Sequence, residues 1–154
     1  MEEKHIELIA RAVVVDGDNI LLCKQKAADY FYFLPGGHVE FDEDIATALK
    51  REIKEEMDVD IVFLRFIGVW ENEFFENSFQ EKPEQKHELN IIFEAKLASQ
   101  DIKNMEDHIE CRWVPLEEFK KAKVLPELLK EKVVEWMGNR EVFFGGEKHN
   151  TELM

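Results

Sequence analysis

Residues 42–57 constrain this chain more than any other stretch. Ile45, Leu49, Ile53 and Met57 recur every fourth residue. That spacing lines one side of an α-helix with apolar side chains and presses it onto a core. Asp42 and Asp44 stand where a helix start needs a side-chain acceptor for its free N–H groups. Just before them, the aromatic run Tyr30-Phe31-Tyr32-Phe33-Leu34 is stopped by Pro35-Gly36-Gly37. Proline withholds a backbone donor and glycine admits positive φ, so the chain must turn sharply there. A strand-like segment, a tight loop and an amphipathic helix therefore follow one another.

The helix carries an unusual charge pattern. Glu52, Glu55 and Glu56 stand at i, i+3 and i+4, so their carboxylates share one side. They occupy the last turns, where the helix dipole is negative and each carboxylate is disfavoured by roughly 0.3–1 kcal/mol. Mutual repulsion adds to this. A divalent cation would remove both penalties, and an all-oxygen donor set suits Mg²⁺, or Mn²⁺ in its place, better than Zn²⁺. The plainer alternative is a solvated acidic face relieved by Lys50 and Lys54.

The rest of the chain reads as short strands and two more helix starts. Residues 6–15 are apolar and β-branched, Asp16-Gly17-Asp18-Asn19 is a turn, and residues 20–23 return as a second strand. Residues 61–69, 89–97 and 110–114 read as further strands. Residues 71–87 form a long acidic connection or a hairpin extension, holding Phe74, Phe75 and Phe79. Pro115 and Pro126 each sit where a helix can begin, and residues 126–137 are amphipathic. The order β-β-α-β-β-β-α predicts an α/β chain of the α+β kind, a mixed sheet with helices packed on it. One domain is expected over residues 1–154, with a core at about 5–137 and a tail at 138–154 that docks on a partner or frays.

Charge and composition narrow the function. With 34 Asp and Glu against 20 Lys and Arg, the net charge is −14. General electrostatic binding to a nucleic-acid backbone needs the opposite sign, so no nucleic acid partner is expected. No apolar run approaches the length of a membrane span, so no membrane partner is expected either. Met1-Glu2-Glu3-Lys4 lacks the basic-then-apolar pattern of a leader. Cys23 and Cys111 stand far apart with no CxxC, which argues against a zinc site or a disulfide and for a reduced, cytoplasmic setting.

The spacing around the helix resembles a known motif. Gly37, five residues, Glu43, seven residues, then Arg51-Glu52-Ile53-Lys54-Glu55-Glu56-Met57-Asp58-Val59 is similar to the Nudix box at every defined position but one. The family's late glycine is Asp58 here. That glycine ends the helix in a left-handed conformation, so Asp58 is expected at positive φ, which Asp tolerates better than most residues. The run Phe33 to Glu40 also resembles the family's approach to the box, and the resemblance extends over most of residues 5–137.

The resemblance implies the Nudix fold, a mixed β-sheet sandwiched between α-helices. It also implies an MutT-like, Mg²⁺-dependent pyrophosphatase acting on a nucleoside diphosphate linked to another moiety, by water attack on phosphorus. Carried over residue by residue, Glu52, Glu55 and Glu56 become metal ligands, joined by the backbone carbonyl of Gly37 or Gly36. Glu52 doubles as a candidate base, and Arg51 with Glu43 forms a supporting ion pair. Glu88 is a candidate ligand or base from a strand, with Glu106, Asp107 and Glu110 as a second option in a loop. Arg11 and Lys24 on the first hairpin are candidates for substrate phosphates, against a reading as exposed ion-pair partners. Phe74 and Phe75 are candidate stacking platforms, against plain core packing, and Trp70 and Phe79 are open to the same two readings. His38 reads as a loop hydrogen-bonder. Many family members pair, so a homodimer is one expectation. Two other readings share the fold: a non-catalytic nucleotide-sensing module, and an isoprenoid diphosphate isomerase, which would want a catalytic Cys where Cys23 reads as strand interior.

Overall fold

Alternation of apolar residues builds the strands, and two helices cover opposite faces of the resulting sheet. The computed structural model describes residues 4–76 and 84–153. In chain order it forms β1 (Glu7–Val13), β2 (Val15–Asp16), β3 (Asn19–Gln25), β4 (Ala28–Phe33), β5 (Gly36–His38), α1 (Ile45–Met57), β6 (Ile61–Glu76) and β7 (Glu84–Leu97). There follow β8 (Ile109–Pro115), α2 (Leu116–Lys121), α3 (Glu127–Asn139) and β9 (Phe143–Leu153). The main sheet runs β5-β1-β7-β6-β9, and a smaller one holds β2, β3 and β4 with β8 paired to β3. β1 lies parallel to β7 and β6 parallel to β9, while β1–β5 and β6–β7 are antiparallel. The sheet is therefore mixed, as expected.

β1 feeds both sides of the sheet because its side chains alternate. Val13 joins a core with Leu129, Val133 and Trp136 of α3, whereas Ala10 and Ala12 join a core with Leu49, Ile53 and Met57 of α1. Ile53 is fully buried, so truncating it to Ala would cost about 2–5 kcal/mol and loosen the seat of α1. Among the described residues, no helix is long and apolar enough to cross a membrane.

Helix ends follow local chemistry. Asp44 caps α1 by accepting from the Thr47 N–H at 2.7 Å. Asp58 ends α1 at φ 51°, ψ 45°, the left-handed conformation expected of it, and its N–H donates to the Lys54 carbonyl. α3 has no cap of its own, since Pro126 precedes it. Glu147 of β9 serves instead, accepting from the Leu128 and Leu129 N–H groups at 3.4 Å each and from Trp70 Nε1 at 3.0 Å.

Two expectations need correction and one holds. Residues 143–153, expected as a tail, form β9, the edge strand beside β6. The hairpin-extension reading of 71–87 holds, since β6 and β7 pair antiparallel out to residues 76 and 84; Phe79 lies outside the described residues. Cys23 and Cys111 are joined in a disulfide. Their separation of 88 residues conceals that the β3–β8 register sets them directly opposite.

Candidate active site

The site is assembled where the β5 loop meets the C-terminal half of α1. Gly36 has φ 144°, and a Cβ there would run into the Ala10 carbonyl, so only glycine lets β5 lie this close to β1. A Cβ on Gly37 would overlap the Glu52 carboxylate. The double glycine thus brings the loop backbone against the acidic face of α1.

Arg51 braces that face. Its Nε donates to Glu43 Oε2 at 3.0 Å and its Nη2 to Glu43 Oε1 at 2.7 Å, a two-pronged pair. Nη2 also donates to the His38 carbonyl at 3.0 Å. Nη1 reaches Glu52 Oε1 at 2.9 Å and Glu55 Oε2 at 3.3 Å. One guanidinium therefore ties the loop, the helix start and two of the three box carboxylates together. The Arg51 bonds hold the Glu43 carboxyl below its ordinary range, and Glu43 holds the Arg51 charge firmly in place.

Glu56 is the opposite case. It is 6% exposed, and its Oε2 has no hydrogen-bond partner among the described residues. Burial, reinforced by the nearby Glu52 and Glu106 carboxylates, pushes its pKa up to about 8. Burial also raises Glu52, against the pull of Arg51. The three box carboxylates do not close to within 4.8 Å of one another, because Glu52 and Glu55 lean on Arg51 while Glu56 turns inward.

Arg11 enters from β1. Its Nε donates to Asn90 Oδ1 at 3.2 Å and its Nη1 to the Leu34 carbonyl at 2.9 Å. Burial lowers its pKa, and Glu88, Glu56 and Glu52 pull it back up. Glu88 is raised by burial and steadied by Arg11. Arg11 thus stands between the strand carboxylate Glu88 and the helix carboxylates Glu52 and Glu56.

Other expectations divide. Glu106 lies close enough to Glu52 and Glu56 to raise both, and it pairs with His108 at 3.3 Å. Glu110 instead sits on β8 opposite Lys24. Lys24 shares its side of β3 with Ile20 and Leu22, which face the α3 core, whereas Cys23 faces α1. Alternation puts Phe74 on the face of Trp70 and Asn72, and Phe75 on the face of Glu71 and Glu73. Trp70 packs edge-on against Phe143 in the core. The His38 carbonyl serves Arg51, and its ring stands 3.5 Å from Glu7.

Two residues escaped the sequence reading. Asn90 and Asn72 are buried at 1% and 4% exposure on adjacent strands. Asn90 orients Arg11 and donates to the Trp70 carbonyl at 3.2 Å. The Asn72 Oδ1 is buried with no partner among the described residues. Asn90 was signalled as a polar residue inside the apolar run Leu89 to Phe93, whereas Asn72, between Glu71 and Glu73, gave no such signal.

A family model described as NUDIX domain matches residues 7–137. Among solved structures, the chain is similar to the mMutator MutT protein from Bacillus halodurans (TM-score 0.76, 17% identity, covering 97% of this chain and 95% of that one). It is similar to an ADP-ribose pyrophosphatase from Streptococcus suis (TM-score 0.65, 14% identity, covering 93% and 100%). It also resembles the NUDIX domain of Shewanella oneidensis NrtR complexed with ADP ribose (TM-score 0.63, 18% identity, covering 88% and 90%). At these identities the likeness speaks for the fold.

Proposed function

The chain belongs to the NUDIX domain family, and from that premise we propose that it hydrolyses a phosphoanhydride bond in a nucleoside diphosphate linked to another moiety, with a divalent cation as cofactor. The observation that carries this reading is Glu56, a buried carboxylate whose outer oxygen has no partner among the described residues. A protein gains nothing by burying such a group unless a ligand completes it.

The residues present fit Mg²⁺ or Mn²⁺. Glu52, Glu55 and Glu56, with the Gly37 carbonyl, would hold it through oxygen alone. When bound, the cation screens the diphosphate charge and acidifies a water for attack on phosphorus. The chain's own groups do the rest. Arg51 keeps Glu52 and Glu55 on the loop side of α1 through the bonds described above. Arg11, held by Asn90 and the Leu34 carbonyl, presents a positive charge beside those carboxylates for a substrate phosphate. Glu88 and Glu52 are made more basic by burial, which suits either to accept the proton of the attacking water. Phe74 stands on the same sheet face and offers a ring to the substrate's base.

The test is a substrate panel. Purified protein with Mg²⁺ is offered nucleoside triphosphates, nucleotide sugars, ADP-ribose and dinucleoside polyphosphates, and products are separated by charge. Turnover of at least one class is expected, with labelled water entering a phosphate. No turnover of any class overturns the reading, and tight nucleotide binding without product would point to a sensing module instead.

A further inference from the structure

Behind the box helix, two sulfurs and a carboxylate meet. The β3–β8 register sets Cys23 opposite Cys111. Alternation sends Cys23, like Leu21, toward α1, whose buried side ends on Ile53, Glu56 and Met57. One Glu56 carboxylate oxygen and both Sγ atoms lie within 4.8 Å of one another. The three residues are 6%, 0% and 2% exposed respectively, counting Glu56, Cys23 and Cys111. In the disulfide form the sulfurs carry no proton, and Glu56 Oε2 is without a partner among the described residues. A second grouping, Glu71, Glu73 and His87, is only half-buried, and its members already pair with one another.

We propose that the reduced chain holds a thiophilic divalent cation of the zinc class between Cys23, Cys111 and Glu56, and that this cation draws Glu56 away from the Mg²⁺ carboxylates. Two thiolates and one carboxylate are a normal zinc donor set with a fourth position left for water. With metal–sulfur bonds near 2.3 Å and metal–oxygen bonds near 2.1 Å, such donors stand roughly 3.5–3.8 Å apart, inside the spread found here. Thiolate softness selects against Mg²⁺, and Leu21, Leu49, Ile53 and Met57 belong to the same core cluster as the two cysteines.

The chemistry balances in two steps. A dithiol reductant gives two electrons and two protons to the Cys23–Cys111 bond and leaves as its own disulfide. Each thiol then releases a proton to solvent as its sulfur bonds the cation, and Glu56 adds an oxygen. The binding part of the proposal stands on the cluster alone. The competition for Glu56 rests on the hydrolase reading.

The experiment separates these parts. The whole chain is reduced with a dithiol, freed of reductant without oxygen, shown to have two titratable thiols, and titrated with Cd²⁺ alone. A thiolate-to-cadmium charge-transfer band saturating at one ion per chain is expected. The oxidised chain, Cys23→Ala and Cys111→Ala should each lose it, and Glu56→Gln should keep the band at least tenfold weaker in affinity. Absence of the band in the reduced chain, or an equal band in both alanine variants, overturns the site, as does a bond that resists reduction while the chain stays folded. Zn²⁺ added over excess Mg²⁺ should inhibit the reduced chain at least tenfold more strongly than Cys23→Ala. A band without that difference overturns the competition. A chain with no turnover at all would sink the hydrolase reading and leave the band to decide the site.

Discussion

Arg51 and Glu56 are five residues apart on one helix, yet they embody opposite electrostatic designs. Around Arg51, every strong charge is answered within the chain: Glu43 takes two bonds, Glu52 and Glu55 one each, and a loop carbonyl a fifth. Around Glu56, burial, two neighbouring carboxylates and an orphaned oxygen all disfavour the charged form. The contrast separates scaffold from reactive surface. On the hydrolase reading, charges satisfied internally hold shape, and the unsatisfied one is left for a cation.

The largest test of that contrast is Glu56→Gln. It keeps the shape and removes the charge, so kcat with Mg²⁺ should fall on the order of 100-fold or more, measured on whichever substrate the panel yields. Arg51→Lys should come next. Lys cannot reproduce the two-pronged grip on Glu43 while reaching Glu52 and Glu55, so activity should fall by roughly tenfold or more through misplacement of the carboxylates. If both variants lower activity while only Arg51→Lys lowers the melting temperature, the division into scaffold and reserve holds. If Glu56→Gln also destabilises the cation-free chain, it fails.

Stability against pH sharpens the point. The folded-state pKa of Glu56, about 8, lies above its ordinary 4.5. Across that window the folded chain binds more protons than the unfolded one, so stability falls as pH rises from about 4.5 to about 8 and levels off above. The cation-free chain should therefore lose on the order of 2–5 kcal/mol over this range, read by denaturant melts. Glu52 and Glu88 shift in the same direction. Glu56→Gln should remove most of the slope, and saturating Mg²⁺ at pH 8 should restore stability to the wild type but less to the variant. The smallest effect is at the helix end. Asp58→Gly should stabilise by at most about 1 kcal/mol, because glycine holds the left-handed conformation without strain, while the surface pairs of Asp58 with Lys54 and Lys103 are lost.

What could be read in advance was local. α1, its Asp44 cap, the left-handed Asp58 and the sharp turn at Pro35 are dictated by neighbours in the chain, and the Glu43–Arg51 pair is implied by the resemblance to the Nudix box. What could not be read was long-range register. The Cys23–Cys111 juxtaposition depends on β3 meeting β8, the burial of Asn72 and Asn90 on β6 meeting β7, and β9 on a parallel pairing across two helices. Strand alternation likewise decides which faces Lys24, Phe74 and Phe75 take, and residue type alone carries no record of it. The expectation of no disulfide failed for this reason too, since cysteine spacing in sequence carries no record of cross-strand pairing.

The Glu147 cap on α3 has a further consequence for how the chain comes to be folded. Leu128 and Leu129 are translated before the carboxylate that receives their N–H groups. On the ribosome, the helix that covers one side of the sheet must wait with a bare start until a later strand emerges and slots in beside β6. A nascent chain stalled short of Glu147 should keep that helix open to proteases, and release of a few more residues should close it in a single step.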